Sequence, residues 1–322
     1  MEPLKLKIPN SFFLSESKCN YFVSSKMKHV WAVELDLLNQ AIKVLEKNNI
    51  KYFLGGGSLL GAIRHKGFIP WDDDIDIFLP RNDYNKLTAI GPKVFSYPYH
   101  FQDEYTEPGI MYGHSKLRNS STTGIIKGFL EDIHGVVTYN QGIFIDFFPL
   151  DNIPDNTVEK DCWIKDIKDI AVDTWKYKKY IYRSLPPNNN EEKLRFEKIK
   201  EFLDQIGDPN YYFRKYEATL GMFANTNTKK SCIYSFYRTK QEDRWTFFNN
   251  DFDEIEYVSF EMLRVPVPKN YRHMLETSFG NWEKMVQESS VHDSCYFDIH
   301  HPWTFYVDEI HGINKQKVLS LL

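Results

Sequence analysis

Cysteine is scarce in this chain: Cys19, Cys162, Cys232 and Cys295 are the four among 322 residues, and no two of them make a CxxC pair. That spacing excludes a disulfide framework and the common structural-zinc patterns, and it suits a reducing compartment. A basic surplus is missing too. Lys and Arg number 40 against 44 Asp and Glu, for a net charge of −4, so the chain lacks the positive face that coats nucleic acid. No segment approaches the roughly 20 consecutive apolar residues of a membrane span. The opening MEPLKLKIPN shows no basic region followed by an apolar stretch of signal-peptide length. The expectation is a cytoplasmic protein without disulfides, with peripheral contact at the inner face of a membrane as a further possibility. Internal repeats and long low-complexity stretches are absent as well.

What the chain does have is apolar and aromatic side chains, 42% and 16% of residues, which is a globular composition. Between Val30 and Leu45, Trp31, Leu35, Leu38, Ile42 and Leu45 recur at steps of four and three, the stripe of an amphipathic helix. Asn48 and Asn49 end it, and Tyr52 to Leu54 reads as a short buried strand running into Gly55, Gly56 and Gly57. Ser58 is the expected N-cap of a brief helix through Ile63. Asp74 to Leu79 reads as a second strand, Pro80 to Asp83 as the start of another helix, and Met111 to Leu117 and Gly142 to Phe148 as extended. From about Asn156 the text turns charged and helix-favouring over Val158 to Tyr182, Glu191 to Ile206 and Tyr211 to Phe223. Strand character returns at Tyr257 to Val267, and a helix from Pro268 to Phe279 ends at Gly280. The expected class is α+β (mixed α/β): a small mixed sheet flanked by helices in residues 1–155, and a largely helical half in 156–322 that completes the core and an acceptor pocket.

The chemistry is concentrated in GGGSLLGAIRHKGFIPWDDDIDIFL, residues 55–79. Side chains two apart on a strand share a face, so Asp74 and Asp76 project together while Ile75 and Ile77 turn to the core, and Asp72 lies two residues earlier. Carboxylates so close either share a proton or bind a cation, and an all-oxygen set favours Mg²⁺ or Mn²⁺. Asp146, set among apolar residues in GIFIDFFPLD, needs a partner. A metal shared with Asp74 and Asp76 would supply one if the two strands are neighbours. Gly56, Gly57 and Ser58 can bring backbone amides and a helix N-terminus to a phosphate. Metal beside a phosphate cradle is the arrangement of phosphoryl or nucleotidyl transfer.

Taken together, GGGSLLGAIRHKGFIPWDDDIDI, HSKLRNSST and GIFIDFFPLDNIP resemble the successive motifs of the LicD family, a branch of the nucleotidyltransferase-fold superfamily that includes fukutin-like glycan phosphotransferases. The resemblance spans residues 52–155 and continues weakly through VPVPKNYRHMLETSFGNW. It implies a nucleotidyltransferase-like fold. It also implies metal-dependent transfer of phosphocholine from CDP-choline, or of glycerol or ribitol phosphate from the corresponding CDP-alcohol, onto a hydroxyl of a glycan or lipid-linked glycan, with release of CMP. By the same resemblance Gly57 and Ser58 form the phosphate-binding turn, Asp72, Asp74 and Asp76 the triple-aspartate motif and Asp146 the distal carboxylate. Asp74, Asp76 and Asp146 would carry catalysis, Asp146 also as a proton acceptor, whereas Asp73 would be merely solvated. Arg64, with His65 and Lys66, and Lys116 and Arg118 are the expected diphosphate contacts.

Two rivals remain at this level: a nucleotidyltransferase acting on a sugar, small molecule or protein with the same residues, and a non-catalytic nucleotide-binding module. His292, Cys295, His300 and His301 match no standard zinc spacing. WKYKKYIYR, residues 175–183, reads as a helix with a solvated basic face, with contact to an anionic membrane surface as the alternative. An aromatic cage for choline has candidates in Trp71, Tyr112, Trp163, Trp175 and Trp245, none singled out by sequence.

Overall fold

Ser24 starts the first helix by accepting the backbone N–H of Met27 at 3.1 Å, and α1 runs Ser25–Lys47 with Trp31, Leu35, Leu38 and Leu45 buried as their spacing predicts. A computed structural model describes residues 2–110, 112–126, 139–182, 186–233, 242–287 and 295–306. Before α1, β1 (Glu16–Lys18) and β2 (Tyr21–Val23) form a hairpin. After it come β3 (Phe53–Leu54), α2 (Gly56–His65), β4 (Asp76–Pro80) and α3 (Arg81–Val94). Next are β5 (Tyr99–Gln102), β6 (Ser115–Asn119), β7 (Thr123–Ile126) and β8 (Ile143–Ile153). The expected extended stretch from Met111 thus begins at Ser115, and Met111 itself lies outside the described residues.

The strand β8 organises the molecule. Its sequence IFIDFFPLDNI is buried at every position but Asn152, as a strand covered on both faces should be. On one edge it pairs with β4 in parallel, and β3 continues the sheet antiparallel to β4. Its other edge is shared in succession by β6, with β5 beyond, and by β9 (Lys230–Cys232), with β10 (Thr246–Phe248) beyond. Among the described residues this makes a seven-stranded mixed sheet. Helix α1 packs on β8 and β6, and α3 on β8, β4 and β5.

The helices expected after residue 156 are present as α4 (Thr157–Tyr182), α5 (Asn190–Ile206) and α6 (Tyr211–Leu220). Of these, α4 and α6 gather a smaller core around Trp163, Ile167, Phe213 and Tyr216, and α5 packs Phe196 and Leu203 against Tyr177 of α4. Gly207 closes α5 in the left-handed conformation. Beyond α6 the chain returns to the main sheet and core. Strands β9 and β10 extend the sheet, β11 (Ile255–Phe260) and β12 (Leu263–Pro268) form a hairpin, α7 (Tyr271–Phe279) follows, and β13 (Cys295–Asp298) pairs with β7. The second half therefore completes the core, with its helices concentrated in residues 157–220. All four cysteines are free thiols. Among the described residues, no helix is long and apolar enough to cross a membrane.

Candidate active site

Parallel pairing of β4 with β8 sets Asp76 directly opposite Asp146, fixed just upstream by the Asp146 N–H donating to the Ile75 carbonyl at 2.9 Å. Ile75 and Ile77 are fully buried on the other face, so the alternation read from sequence holds. Asp74, Asp76 and Asp146 each place one carboxylate oxygen within 4.8 Å of the others, and Asp72, Asp73 and Asp74 form a second such group through the shared Asp74. Asp73, expected to be solvated, is buried at 7% exposure.

Charge crowding has a measurable consequence for the protons. Burial, then the charges of Asp74 and Asp73, pushes the Asp72 carboxyl well above the usual range, and Asp72 shares a side-chain hydrogen bond with Asp74. Burial, then Asp74, Asp146 and Asp72, does the same to Asp76. Asp146 goes the other way. Burial alone would raise it, yet Lys116 and His114 hold it below the carboxylate range. Lys116 Nζ donates to Asp146 Oδ1 at 2.5 Å, and His114 Nε2 lies 3.2 Å from the same oxygen. Both come from β6 or the residue before it, where Lys116 is the register partner of Asp146. Asp146 thus has a protein partner in addition to whatever joins the carboxylates. Burial keeps the His114 imidazole below its ordinary value, and the ring packs on Phe148 at 4.3 Å.

The glycines explain how the aspartates come so close to backbone. Gly56 has φ +51°, and a Cβ there would lie 2.6 Å from Asp76 Oδ2; one on Gly57 would lie 2.8 Å from Asp72 Oδ2. Either contact is shorter than real Cβ atoms show, so a side chain at either position would displace the carboxylate it meets. The glycine run therefore clears space for carboxylates at the start of α2. No side chain caps that helix, whose first amide groups point out of its N-terminus. Ser58 departs from expectation: it lies inside the first turn rather than at the N-cap, and its Oγ accepts the Asp76 N–H at 2.8 Å, tying α2 to β4. Trp31 Nε1 donates to the Asp72 carbonyl at 3.0 Å, fixing the loop before β4 onto α1.

Among the expected diphosphate contacts only Lys116 joins this group. Arg118 shares its face, but its fully buried guanidinium donates to Gln102 Oε1, to the Gly142 carbonyl at 2.7 Å and to Tyr112 Oη at 3.5 Å, so it braces β6 from within. Arg64 sits at the far end of α2, seven residues and about 10 Å from Gly57 at 1.5 Å per residue. It donates through Nη1 to the Trp282 and Lys284 carbonyls at 2.8 and 3.3 Å, and through Nε to His65 Nε2 at 2.9 Å. His65 is buried and held at about 4 by that burial and by the charges of Arg64 and Lys18, while Lys66 is exposed at the helix C-cap.

Sequence reading passed over Glu34 and His114. Glu34 is 1% exposed on α1, and neither carboxyl oxygen has a hydrogen-bond partner. Burial, then Asp73, Asp74 and Asp72, raises its proton affinity, which places it beneath the acidic loop. Its signal was present: three residues after Trp31 and one before Leu35, it falls on the buried stripe. In the stretch from Trp175, Lys176 is exposed as expected of a solvated basic face, whereas Tyr177 and Lys178 are buried and Lys178 pairs with Glu104; Arg183 lies outside the described residues. His301 Nδ1 is engaged by Asp298 at 2.8 Å. Among the described residues no metal-competent group forms around Cys295 or the histidines near it, and His292 lies outside them.

Comparison with known proteins agrees with this geometry. A family described as LicD/FKTN/FKRP, nucleotidyltransferase domain, matches residues 49–185, which contain the glycines and all the aspartates of the site. Over 261 residues the chain is 27% identical to the lipopolysaccharide cholinephosphotransferase LicD of Haemophilus influenzae, covering 79% of this chain and 90% of that protein. Over 49 residues it is 56% identical to the ribitol 5-phosphate transferase FKRP of Homo sapiens and of Mus musculus, covering 15% of this chain and 10% of those proteins. The parallel pairing that brings Asp76 to Asp146 thus lies inside the matched segment, and residues 49–185 are similar to the nucleotidyltransferase domain of the LicD/fukutin-related family.

Proposed function

We propose that the protein is a phosphotransferase that moves a substituted phosphate, phosphocholine by preference, from a CDP-alcohol to a glycan hydroxyl and releases CMP. The observation that carries this reading is the in-register pair Asp76 and Asp146 with Asp74 beside them. The all-carboxylate donor set, crowded enough to raise the proton affinity of Asp72 and Asp76, fits a hard divalent cation, Mg²⁺ or Mn²⁺, held by Asp72, Asp74, Asp76 and Asp146. Such a cation, when bound, would supply charge neutralisation at the phosphate oxygens.

The residues of the chain do the rest. The N-terminus of α2 faces the same place as the carboxylates and offers backbone N–H groups to a phosphate. Lys116 holds Asp146 in position and keeps it ionised. That pairing lowers the basicity of Asp146 and favours its role as a ligand. In the reaction the glycan oxygen bonds to the distal phosphorus, the bond from that phosphorus to the CMP oxygen breaks with its electron pair leaving on CMP, and the hydroxyl proton passes to solvent water.

Two relatives support the choice of cargo. The Haemophilus influenzae cholinephosphotransferase aligns over nine-tenths of its length, and the ribitol 5-phosphate transferases keep the polyol phosphates as the alternative. The acceptor in this reading is a cell-surface or secreted-glycan precursor, free or lipid-linked, modified in the cytoplasm. The test is CMP release from CDP-choline, CDP-ethanolamine, CDP-glycerol and CDP-ribitol with Mg²⁺ or Mn²⁺ and crude glycan acceptors. Release from one donor, abolished by Asp74→Asn, is the expected result. Pyrophosphate from CTP or ATP with no CMP from any CDP-alcohol would replace this reading with nucleotidyl transfer.

A further inference from the structure

A recess of about 230 Å³ opens next to the acidic cluster, lined by Tyr21, Met27, Trp71, Asp72, Asp73 and Phe297 among others. Asp72 belongs both to this recess and to the carboxylate group that ends at Asp74, so the recess adjoins the cluster. Ligand clefts for whole small molecules run from roughly 300 to 1,000 Å³. This recess is too small for a nucleotide or an oligosaccharide and large enough for the headgroup of an alcohol.

Its walls state which headgroup. Tyr21 and Trp71 stand edge to face with ring centroids 6.0 Å apart, and Phe297 and Met27 add apolar surface from β13 and α1. Two carboxylates, Asp72 and Asp73, are in the lining, and none of the described lining residues is Lys or Arg. Aromatic faces with carboxylates attract a cation, best of all one that cannot hydrogen-bond and so loses little on leaving water. A neutral polyol can hydrogen-bond to Ser24, Tyr21 and the carboxylates but brings no positive charge to Asp72 and Asp73. The walls at Tyr21 and Phe297 lie outside residues 49–185, so the chain surrounding the matched domain shapes this recess.

Resting on the phosphotransferase reading above, we propose that this recess receives the alcohol end of the donor and selects a quaternary ammonium alcohol over a neutral polyol, with Trp71, Tyr21 and Asp73 as the selecting residues.

The experiment has two arms. In the first, calorimetric titration of Asp74→Asn protein with choline, and with 3,3-dimethylbutan-1-ol as its uncharged isostere, reads the recess without any turnover. Choline is expected to bind at least about fivefold more tightly than the isostere, and Trp71→Leu or Tyr21→Leu to lose about tenfold in choline affinity, the range of one desolvated cation–π contact. Asp73→Asn, which keeps the shape, is expected to narrow the preference for charge even if an aromatic variant fails to fold. In the second arm, CMP release compares CDP-choline with CDP-ribitol and CDP-glycerol, and Trp71→Leu is expected to raise KM for CDP-choline about tenfold. Equal binding of choline and its isostere, or CMP release from a polyol donor in preference to CDP-choline, overturns the inference and leaves phosphotransfer standing. Selective choline binding with no CMP from any donor keeps the recess and sinks the phosphotransfer reading instead.

Discussion

Replacing Gly56 by alanine adds a single carbon at the point where α2 meets the acidic cluster. The new Cβ would lie 2.6 Å from Asp76 Oδ2, where ordinary contact begins at 3.4 Å, so the carboxylate must retreat by about 0.8 Å. Alanine also has to hold φ +51°, which costs roughly 1–2 kcal/mol for an L-residue. The carboxylate is the far end of a side chain and can yield cheaply, so backbone strain sets the loss of stability while the proposed metal position takes the displacement. Ligand distances in a metal site tolerate only about 0.2 Å, and disturbing the groups that orient ligands typically weakens binding ~10–100-fold. Gly207→Ala is the control, because Gly207 has φ +67° with nothing within 4 Å of its Cβ position. Urea denaturation should show similar losses for the two variants, whereas calorimetric Mn²⁺ titration should show weakened binding for Gly56→Ala alone. Wild-type Mn²⁺ affinity in Gly56→Ala, at full occupancy of the folded state, would refute the reasoning.

Two further outcomes follow from the site's surroundings. Arg118→Lys should lower stability by about 1–3 kcal/mol, since the Gly142 carbonyl and Gln102 lose donors in a buried setting, and should leave KM for the donor unchanged; a raised KM with intact stability would restore Arg118 as a phosphate contact. Burial and the neighbouring Arg64 and Lys18 hold the His65 imidazole at about 4, below its ordinary 6.5, so the unfolded chain takes up a proton first as the pH falls. Stability should therefore be complete above about pH 6.5 and decline toward pH 4. His65→Gln should flatten that decline in urea midpoints measured across the window, and an unchanged slope would show that His65 does not cause it.

Local periodicity made much of the site legible. Asp74 and Asp76 follow from a two-residue repeat against Ile75 and Ile77, and Asp146 from its place between Phe144 and Phe148, because strand alternation is a property of the chain itself. Depth and long-range register are not. Lys116 and Arg118 are indistinguishable as alternating cations, yet one meets Asp146 while the other is closed over by Gln102 and Tyr112. The glycines were visible, but the atoms that need their space, Asp72 Oδ2 and Asp76 Oδ2, arrive from residues up to 20 positions later. Strands β9 and β10, three residues each, are too short to show a period. The recess at Trp71 gathers residues from both ends of the chain, a juxtaposition that no motif encodes.

Asp76 and Asp146 touch across one ladder but are seventy positions apart in the chain. At roughly 5–20 residues per second of synthesis, several seconds separate the emergence of the two carboxylates from the ribosome. During that interval the nascent polypeptide already carries its glycines and its run of aspartates with no β8 to seat them against. A chain arrested before Asp146 would carry the glycines and the aspartate run but lack the carboxylate that Asp76 faces across the ladder. The Asp76–Asp146 pair therefore cannot form until β8 has emerged to lie between β4 and β6.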